Sequence, residues 1–329
     1  MRYLLRRIGF YLAALWASAT INFILPRLMP GDPAEAYITN LQGQGPITPN
    51  TLNAIKIQFG LSNDPLWVQY FQYLNNLLHG NLGIAISHYP AQVTQVLAAD
   101  LPWTLGLVGV ATVISFVLGT VLGVIVSWKR NSWLDTVFTP LLTFFSAIPY
   151  FWLALGLVYT FGVILTVLPL GGGYDTFTGN VEMGWNANFA FSVAQHAILP
   201  ATAIVISSIA GWVLSMRNTL VTTLSEDYVL MAQAKGLPDR QVMFAYAARN
   251  AILPSITGFG MAIGFVVGGS LLTEIVFTYP GIGFDLLTAI RRLDYALIEG
   301  IFLVIALTML VANLLSELAY IWLDPRVRR

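Results

Sequence analysis

Cysteine is absent from the 329 residues, which removes disulfides, thiolate nucleophiles and cysteine-based metal sites and leaves the redox compartment unreadable from this residue. Charge is scarce as well: 10% of residues are Asp, Glu, Lys or Arg, where a soluble domain carries about a quarter. The three histidines, His79, His88 and His196, are scattered and show no helical ligand spacing such as H-E-x-x-H, so no metal or other cofactor is expected. No G-x-x-x-x-G-K-[ST] loop occurs, so nothing here is equipped to bind or hydrolyse ATP. Gly171-Gly172-Gly173 lacks the lysine of such a loop, follows Pro169 and reads as a turn. The formal net charge is +0, and no nucleic-acid partner is expected.

What fills the chain instead is apolar, 57% by count. A helix crossing ~30 Å of hydrocarbon needs about 20 apolar residues, because unpaired backbone amides in lipid are too costly to leave exposed. The runs Ile8–Leu25, Leu101–Trp128, Thr136–Leu165, Ala197–Met216, Ile252–Thr273 and Gly300–Trp322 meet that requirement. The fold expected is therefore all-α and membrane-embedded, with six transmembrane helices. The first run follows Arg2, Arg6 and Arg7 and has no small-x-small cleavage pattern after it, so it reads as an uncleaved span. Pro140 and Pro149 interrupt the third run and would permit two shorter helices there.

The distribution of Lys and Arg decides whether the third run is one crossing or two. With six, and the N-terminus in the cytoplasm, the inner segments hold Arg2, Arg6, Arg7, Lys129, Arg130, Arg217, Lys235, Arg240, Arg249, Arg326, Arg328 and Arg329. Only Arg27, Lys56, Arg291 and Arg292 fall outside, which is the positive-inside pattern; splitting the third run would put the later basic groups on the wrong face. The organisation that follows is a cytoplasmic end and first helix over 1–28, an external segment over 29–100, and a core of helices 2 to 6 over 101–329. Both termini are cytoplasmic, and a cytoplasmic loop spans 217–251. Within the external segment Leu66, Tyr70, Tyr73, Leu74 and Leu77 recur at helical spacing and predict an amphipathic helix over Pro65–Leu78, packed on the outer face of the bundle.

The cores of the spans are nearly free of ionisable residues, Glu317 being the main exception, whereas ion-coupled carriers place such groups at membrane depth. The loop 217–251 is punctuated as two short helices meeting at a corner. Ser225 is placed to cap the first, Glu226 and Asp227 suit its electropositive start, and Lys235 suits its electronegative end. Gly236 stops it and Pro238 opens the next. Tyr228, Val229, Leu230 and Met231 are expected to stand exposed beside these acidic groups, a pattern that fits either docking to a partner protein or contact with lipid headgroups.

The segment from Asp227-Tyr228 through Ala232-x-Ala234-Lys235-Gly236-Leu237 to Arg249-Asn250-Ala251-Ile252-Leu253-Pro254 resembles the coupling loop of the dipeptide/oligopeptide/nickel-type ABC importer permeases. Many ABC importer permeases begin this motif with Glu-Ala-Ala; Leu230, Met231 and Ala232 stand there, as is common in the peptide-type branch. The resemblance runs along the chain: Pro30-Gly31-Asp32-Pro33, Phe59-Gly60-Leu61, Gln69-Tyr70, Gly80-Asn81-Leu82-Gly83, Leu101-Pro102-x-Thr104-Leu105, Ile148-Pro149-x-Phe151-Trp152, Phe277 to Gly283, and Leu323-Asp324-Pro325-Arg326. Asn81 replaces a usual Asp, and Ala296 a frequent Pro.

The resemblance implies the type I ABC importer permease fold in a bacterial cytoplasmic membrane, and the first of the two permease types in such a system. It implies as partners a second homologous permease subunit, one or two ATP-binding cassette ATPase subunits and an extracytoplasmic substrate-binding protein, besides membrane lipid. It places Glu226, Asp227, Tyr228, Met231, Ala232, Ala234, Lys235, Gly236 and Leu237 in the ATPase-coupling loop. Along the fifth span Gly260, Gly264 and Gly268 recur at i+4, a spacing that permits close helix packing; the family sets this helix beside the translocation path. Peptide is the cargo the family implies first, with oligosaccharide and nickel systems as close relatives. A non-conducting membrane scaffold for an ATPase is the alternative of a different class.

Overall fold

The computed structural model describes residues 2–34, 37, 64–129, 132–176, 179, 181–269 and 271–323. In chain order the helices are α1 (Arg2–Arg27), α2 (Leu66–Leu78), α3 (Val93–Trp128), α4 (Asp135–Ala147), α5 (Tyr150–Ile164) and α6 (Ala187–Thr223). After them come α7 (Asp227–Ala234), α8 (residues 239–251), α9 (Leu253–Gly269), α10 (Leu271–Val276), α11 (Ile282–Arg291) and α12 (Tyr295–Leu323). Two compact units are built from them, Met1–Trp103 with Pro280–Leu310 and Thr104–Tyr279 with Val311–Arg329.

Among the described residues four helical segments are long and apolar enough to cross a membrane: Gly9–Arg27, Val93–Trp128, Ala187–Thr223 and Tyr295–Leu315. A fifth crossing is available if α4 and α5 form one broken span, and α9 contributes the shorter apolar stretch Leu253–Gly264. The third apolar run of the sequence is thus not one straight helix. Ile148 is extended (φ −76°, ψ 124°) because Pro149 crowds the helical conformation of the residue before it, and α4 and α5 diverge by 94°. Pro140, the other candidate breaker, lies inside α4 just after its π-helical start, Leu134–Phe138, and does not end the helix.

In the second unit α3 and α6 lie side by side along a stripe of small residues. Ser115, Gly119, Gly123 and Ser127 are all buried and recur every four residues. A methyl group on Gly119 would stand 2.5 Å from Trp212 Cβ, and one on Gly123 would stand 2.8 Å from both Met216 Cβ and the Val213 carbonyl. Backbone approach this close substitutes for the hydrophobic effect, which lipid does not supply. Ser115 and Ser208 hydroxyls meet at 2.9 Å, and Phe116 stacks on Phe259 of α9 at 4.3 Å.

The same unit buries the carboxylate that directly follows the fifth apolar run, Ile252–Thr273, where the sequence reading ends that span and begins an external segment. Glu274 lies in α10, fully buried, and accepts a hydrogen bond from Thr104 Oγ1 at 2.9 Å. Thr104 immediately precedes a π-helical stretch of α3, Leu105–Gly109. The glycine turn at 171–173 packs here too: Gly172 N donates to the Phe277 carbonyl at 2.8 Å, and a side chain at Gly171 would collide with that oxygen.

In the first unit the inward face of α2 rests on α1, with Tyr70 and Thr20 hydroxyls 2.7 Å apart and Phe23 edge-on to Tyr70. The helix expected over Pro65–Leu78 is present as Leu66–Leu78, Pro65 being its N-cap. Asp294 fastens the start of α12: buried, it accepts from Leu297 N at 3.1 Å and from Ser87 N at 2.8 Å, while Arg292 donates to the Ser87 carbonyl. Burial pushes the Asp294 carboxyl above its ordinary range, and the Ser87 bonds counter that.

Candidate functional site

The loop that the sequence singles out as a candidate coupling element begins where α6 ends. α6 stops at Thr223, and Glu226, in extended conformation (φ −74°, ψ 142°), takes the N-cap position of α7 without a side-chain capping bond. Ser225 does not cap α7: its hydroxyl turns back to the Thr222 carbonyl at 2.7 Å, because it follows a helical turn rather than the extended residue a cap requires. Asp227 opens the helix, as the electropositive end favours.

At the other end the chain forms a Schellman closure. Gly236 N donates to the Gln233 carbonyl at 2.9 Å and Leu237 N to the Ala232 carbonyl at 3.4 Å, while Gly236 has φ +72°. No atom stands within 4 Å of the position a Gly236 β-carbon would occupy, so the demand for glycine comes from the backbone alone. Lys235 holds the C-cap, and Pro238 (φ −60°, ψ 140°) is the N-cap of α8, its carbonyl oxygen accepting from Gln241 N and Val242 N. A π-helical stretch, Val242–Ala248, then leads through Arg249–Ala251 to α9.

One face of α7 is anchored. Val229 and Ala232 are buried in a cluster with Val124 of α3, Met216 and Leu220 of α6, and Val242, Ala247, Ala248 and Ala251 of α8; Leu237 packs against its edge. Val229 therefore departs from the exposed position expected for it. Residues three apart share a helix face, so Val229 and Ala232 turn inward together and leave the remainder outward. Tyr228, Leu230 and Met231 are 38%, 50% and 60% exposed. Glu226, Asp227, Ala234, Lys235 and Gly236 are exposed, and Leu237 is half-buried. The result is a short helix held to the bundle by two small apolar side chains and presenting an apolar and acidic ridge.

Close to the loop, Arg217 of α6 grips Asp135 at the start of α4 with two bonds, Nε–Oδ1 at 2.8 Å and Nη2–Oδ2 at 3.1 Å. Sequence reasoning placed Arg217 only as a positive-inside charge and missed this pair. It also passed over the Ser115-Gly119-Gly123-Ser127 stripe, whose i+4 spacing of small residues was the available signal. The three glycines singled out in α9 do not behave alike: Gly264 is buried, Gly260 half-buried and Gly268 exposed. The histidines are apart, His79 against the Asn75 carbonyl, His196 against the Ser192 carbonyl and His88 3.5 Å from Asp285. Among the described residues no cluster of His, Asp and Glu could hold a metal ion.

Apolar helices long enough to cross a membrane, joined by a braced loop, mark the chain as membrane-embedded. Two family models match the chain: binding-protein-dependent transport system inner membrane component over residues 119–329, and the N-terminal part of such membrane components over residues 1–107. The chain belongs to this family of ABC importer permeases and is a multi-pass component of the bacterial inner membrane. It is 34% identical to the probable D,D-dipeptide transport system permease protein DdpB of Escherichia coli K12, covering 94% of this chain and 92% of that protein. It is 31% identical to the oligopeptide transport system permease protein AppB of Bacillus subtilis, covering 99% and 98%. To the dipeptide transport system permease protein DppB of E. coli K12 it is 30% identical, covering 100% and 99%.

Proposed function

We propose that this permease forms half of the translocation pathway for peptides delivered by an extracytoplasmic binding protein, with α7 as its contact to an ATPase. Peptide is the cargo printed in the names of the relatives above, over nearly their full lengths. The observation that carries the coupling role is the two-sided α7, anchored through Val229 and Ala232 and exposing Tyr228, Leu230 and Met231. A helix anchored on one side and exposed on the other can pass a push from a partner to α3, α6 and α8 together. ATP hydrolysis then belongs to the partner subunits, and a second permease of the same family completes the pathway.

The arrangement proposed in the membrane has six crossings: α1, α3, the broken pair α4 and α5, α6, α9 and α12. Both termini and residues 217–251 face the cytoplasm, and residues 29–100 face outward. The distribution of Lys and Arg supports this reading. In it the external segment helps to seat the binding protein. The tip proposed for that contact, Asn40–Asn53, lies outside the described residues, as do Lys56, Phe59-Gly60-Leu61 and Asp324-Pro325-Arg326; the side chain of Glu317 does so too.

Reconstitution of the four-part complex with binding protein in proteoliposomes tests the proposal. Peptide accumulation that requires ATP and loaded binding protein is the expected result. Hydrolysis stimulated by loaded binding protein with no accumulation of peptide would leave a scaffold rather than a permease, and uptake by this chain alone under a proton or sodium gradient would make it an ion-coupled carrier.

A further inference from the structure

α2 carries no Asp, Glu, Lys or Arg, and its apolar arc is wider than its contact with α1 needs. At about 100° per residue Tyr70, Tyr73 and Leu77 fall on one side of that arc and Trp67, Phe71, Leu74 and Leu78 on the other. The first side meets α1, where Tyr70 and Tyr73 reach Thr20 and Phe23. The second faces away from the protein: Trp67, Phe71 and Leu78 are 66%, 63% and 85% exposed. The amides occupy the remaining side, Gln69, Gln72 and Asn76 lining a partly open cleft with Arg27 and Glu299. A row of exposed side chains this large and apolar marks a surface that is covered in the working protein.

Depth decides what covers it. Arg27 ends α1, and Phe23 and Thr20 stand four and seven residues before it, about 6 and 10 Å along the axis. The segment Gly9–Arg27 is long and apolar enough to cross a membrane, so α2 touches it below its end and not beyond it. An interfacial helix buries its apolar face ~5–10 Å into the boundary between headgroups and acyl chains, which is the same level. Around that level α1 itself leaves Ile21, Ile24 and Leu25 exposed. The Tyr70 and Thr20 hydroxyls pair at 2.7 Å, as polar groups must where water does not reach them. Trp and Tyr are also the side chains that collect at membrane interfaces.

We propose that α2 lies in the outer leaflet as an interfacial helix, with Trp67, Phe71, Leu74 and Leu78 against lipid acyl chains and its amides toward the cleft. The choice of leaflet rests on the topology proposed above; the lipid contact rests on the depth of α2 beside α1. With no Lys or Arg in the helix, apolar burial holds it and anionic lipid is not required. A water-soluble binding protein does not reach this level, so the stripe is not its seat.

The test uses the cysteine-free chain, assembled with its partner subunits in phosphatidylcholine nanodiscs. Spin labels are attached at Phe71→Cys, Leu78→Cys and Asn76→Cys, exposed positions whose replacement leaves the α1 contact intact. Collision rates with oxygen and with a water-soluble nickel chelate are then measured. The labels at Phe71→Cys and Leu78→Cys are expected to meet oxygen and be shielded from nickel, with the reverse at Asn76→Cys, and the pattern is expected to persist in phosphatidylglycerol. Nickel access at Phe71→Cys equal to that at Asn76→Cys overturns the proposal, because the stripe then faces water. Shielding of Phe71→Cys from both reagents also overturns it, because protein then covers the stripe. A pattern seen only in phosphatidylglycerol overturns the acyl contact in favour of charged headgroups. Side is read separately, by an impermeant thiol reagent on Asn76→Cys in spheroplasts and in inverted vesicles. Labelling only in inverted vesicles overturns the outer leaflet and the topology with it, whereas labelling only in spheroplasts with a water-exposed Phe71→Cys overturns the lipid contact alone.

Discussion

Arg217 of α6 and Asp135 of α4 meet through two parallel hydrogen bonds, 2.8 and 3.1 Å long, with the carboxylate side chain only 9% exposed. A fork matched to a carboxylate in this way sets both the distance and the angle between two helices. Removing the guanidinium leaves a poorly hydrated charge, whereas neutralising the carboxylate leaves a polar acceptor still within reach of Nε. Arg217→Ala should therefore destabilise by on the order of 3 kcal/mol, and Asp135→Asn by roughly a third of that. Unfolding half-lives of the two variants in detergent at one elevated temperature check the order; equal half-lives would mean the pair contributes little.

Gly236 is predicted to be a mechanical joint between α7 and α8. Its φ of +72° is a conformation that L side chains resist, and no neighbour would be struck by an added side chain. Valine there costs on the order of 1–2 kcal/mol of backbone strain, and asparagine much less because it tolerates the left-handed region. Gly236→Val should insert normally but weaken ATPase association or lower transport per ATP hydrolysed, with Gly236→Asn close to the parent. Wild-type coupling in the valine variant would reduce Gly236 to an ordinary helix stop.

The α3–α6 seam gives a paired comparison. A methyl at Gly123 would sit 2.8 Å from Met216 Cβ and from backbone, whereas none of its surroundings come within 4 Å at Gly211, another helical glycine. Gly123→Ala should cost about 1–3 kcal/mol as the helices are forced apart, with Gly211→Ala near neutral. Thermal midpoints measured in the same detergent decide it. A drop of equal size in both would attribute the effect to the glycines themselves rather than to the seam.

Sidedness follows from the absence of cysteine, which lets single thiols be read without background. An impermeant thiol reagent applied to intact spheroplasts should label Asn50→Cys and spare Gln233→Cys. The reverse pattern would invert the proposed topology.

The coupling ridge is predicted to act by contact. Met231 is 60% exposed and lies opposite the anchored Val229 face, so Met231→Glu leaves the core untouched while placing a charge where an apolar partner surface is proposed. ATPase retention on the purified permease should fall at least about tenfold. Val229→Glu is the contrasting case, expected to fail in folding because it buries an unpaired charge.

Much of this chain could be read in one dimension because lipid imposes one-dimensional rules. Apolar length marks candidate crossings, and the helical repeat of Tyr70, Tyr73, Leu74 and Leu77 marked α2 within a residue of its ends. The loop's Gly-x-Pro punctuation and the motif from Asp227 to Leu237 placed α7 and pointed to the family that the comparisons show. Each of these signals is local: it depends on a residue's own chemistry and on neighbours a turn away.

What escaped depends on which distant residue stands opposite. Val229 and Leu230 look alike in sequence, and only the approach of Met216, Leu220 and Val242 decides that the first is buried. Glu274 reads as the start of a polar loop until Thr104, far off in the chain, is found to donate to it. Asp135 and Arg217 carry no mark of their pairing, and Tyr73 none of its buried, unpartnered hydroxyl. Composition and period determined that this protein is a helical membrane protein, and its loop motifs pointed to the permease family. Which of its polar groups are paired, anchored or buried without a partner was decided by tertiary packing, because burial and hydrogen bonding are properties of pairs that the linear order does not bring together.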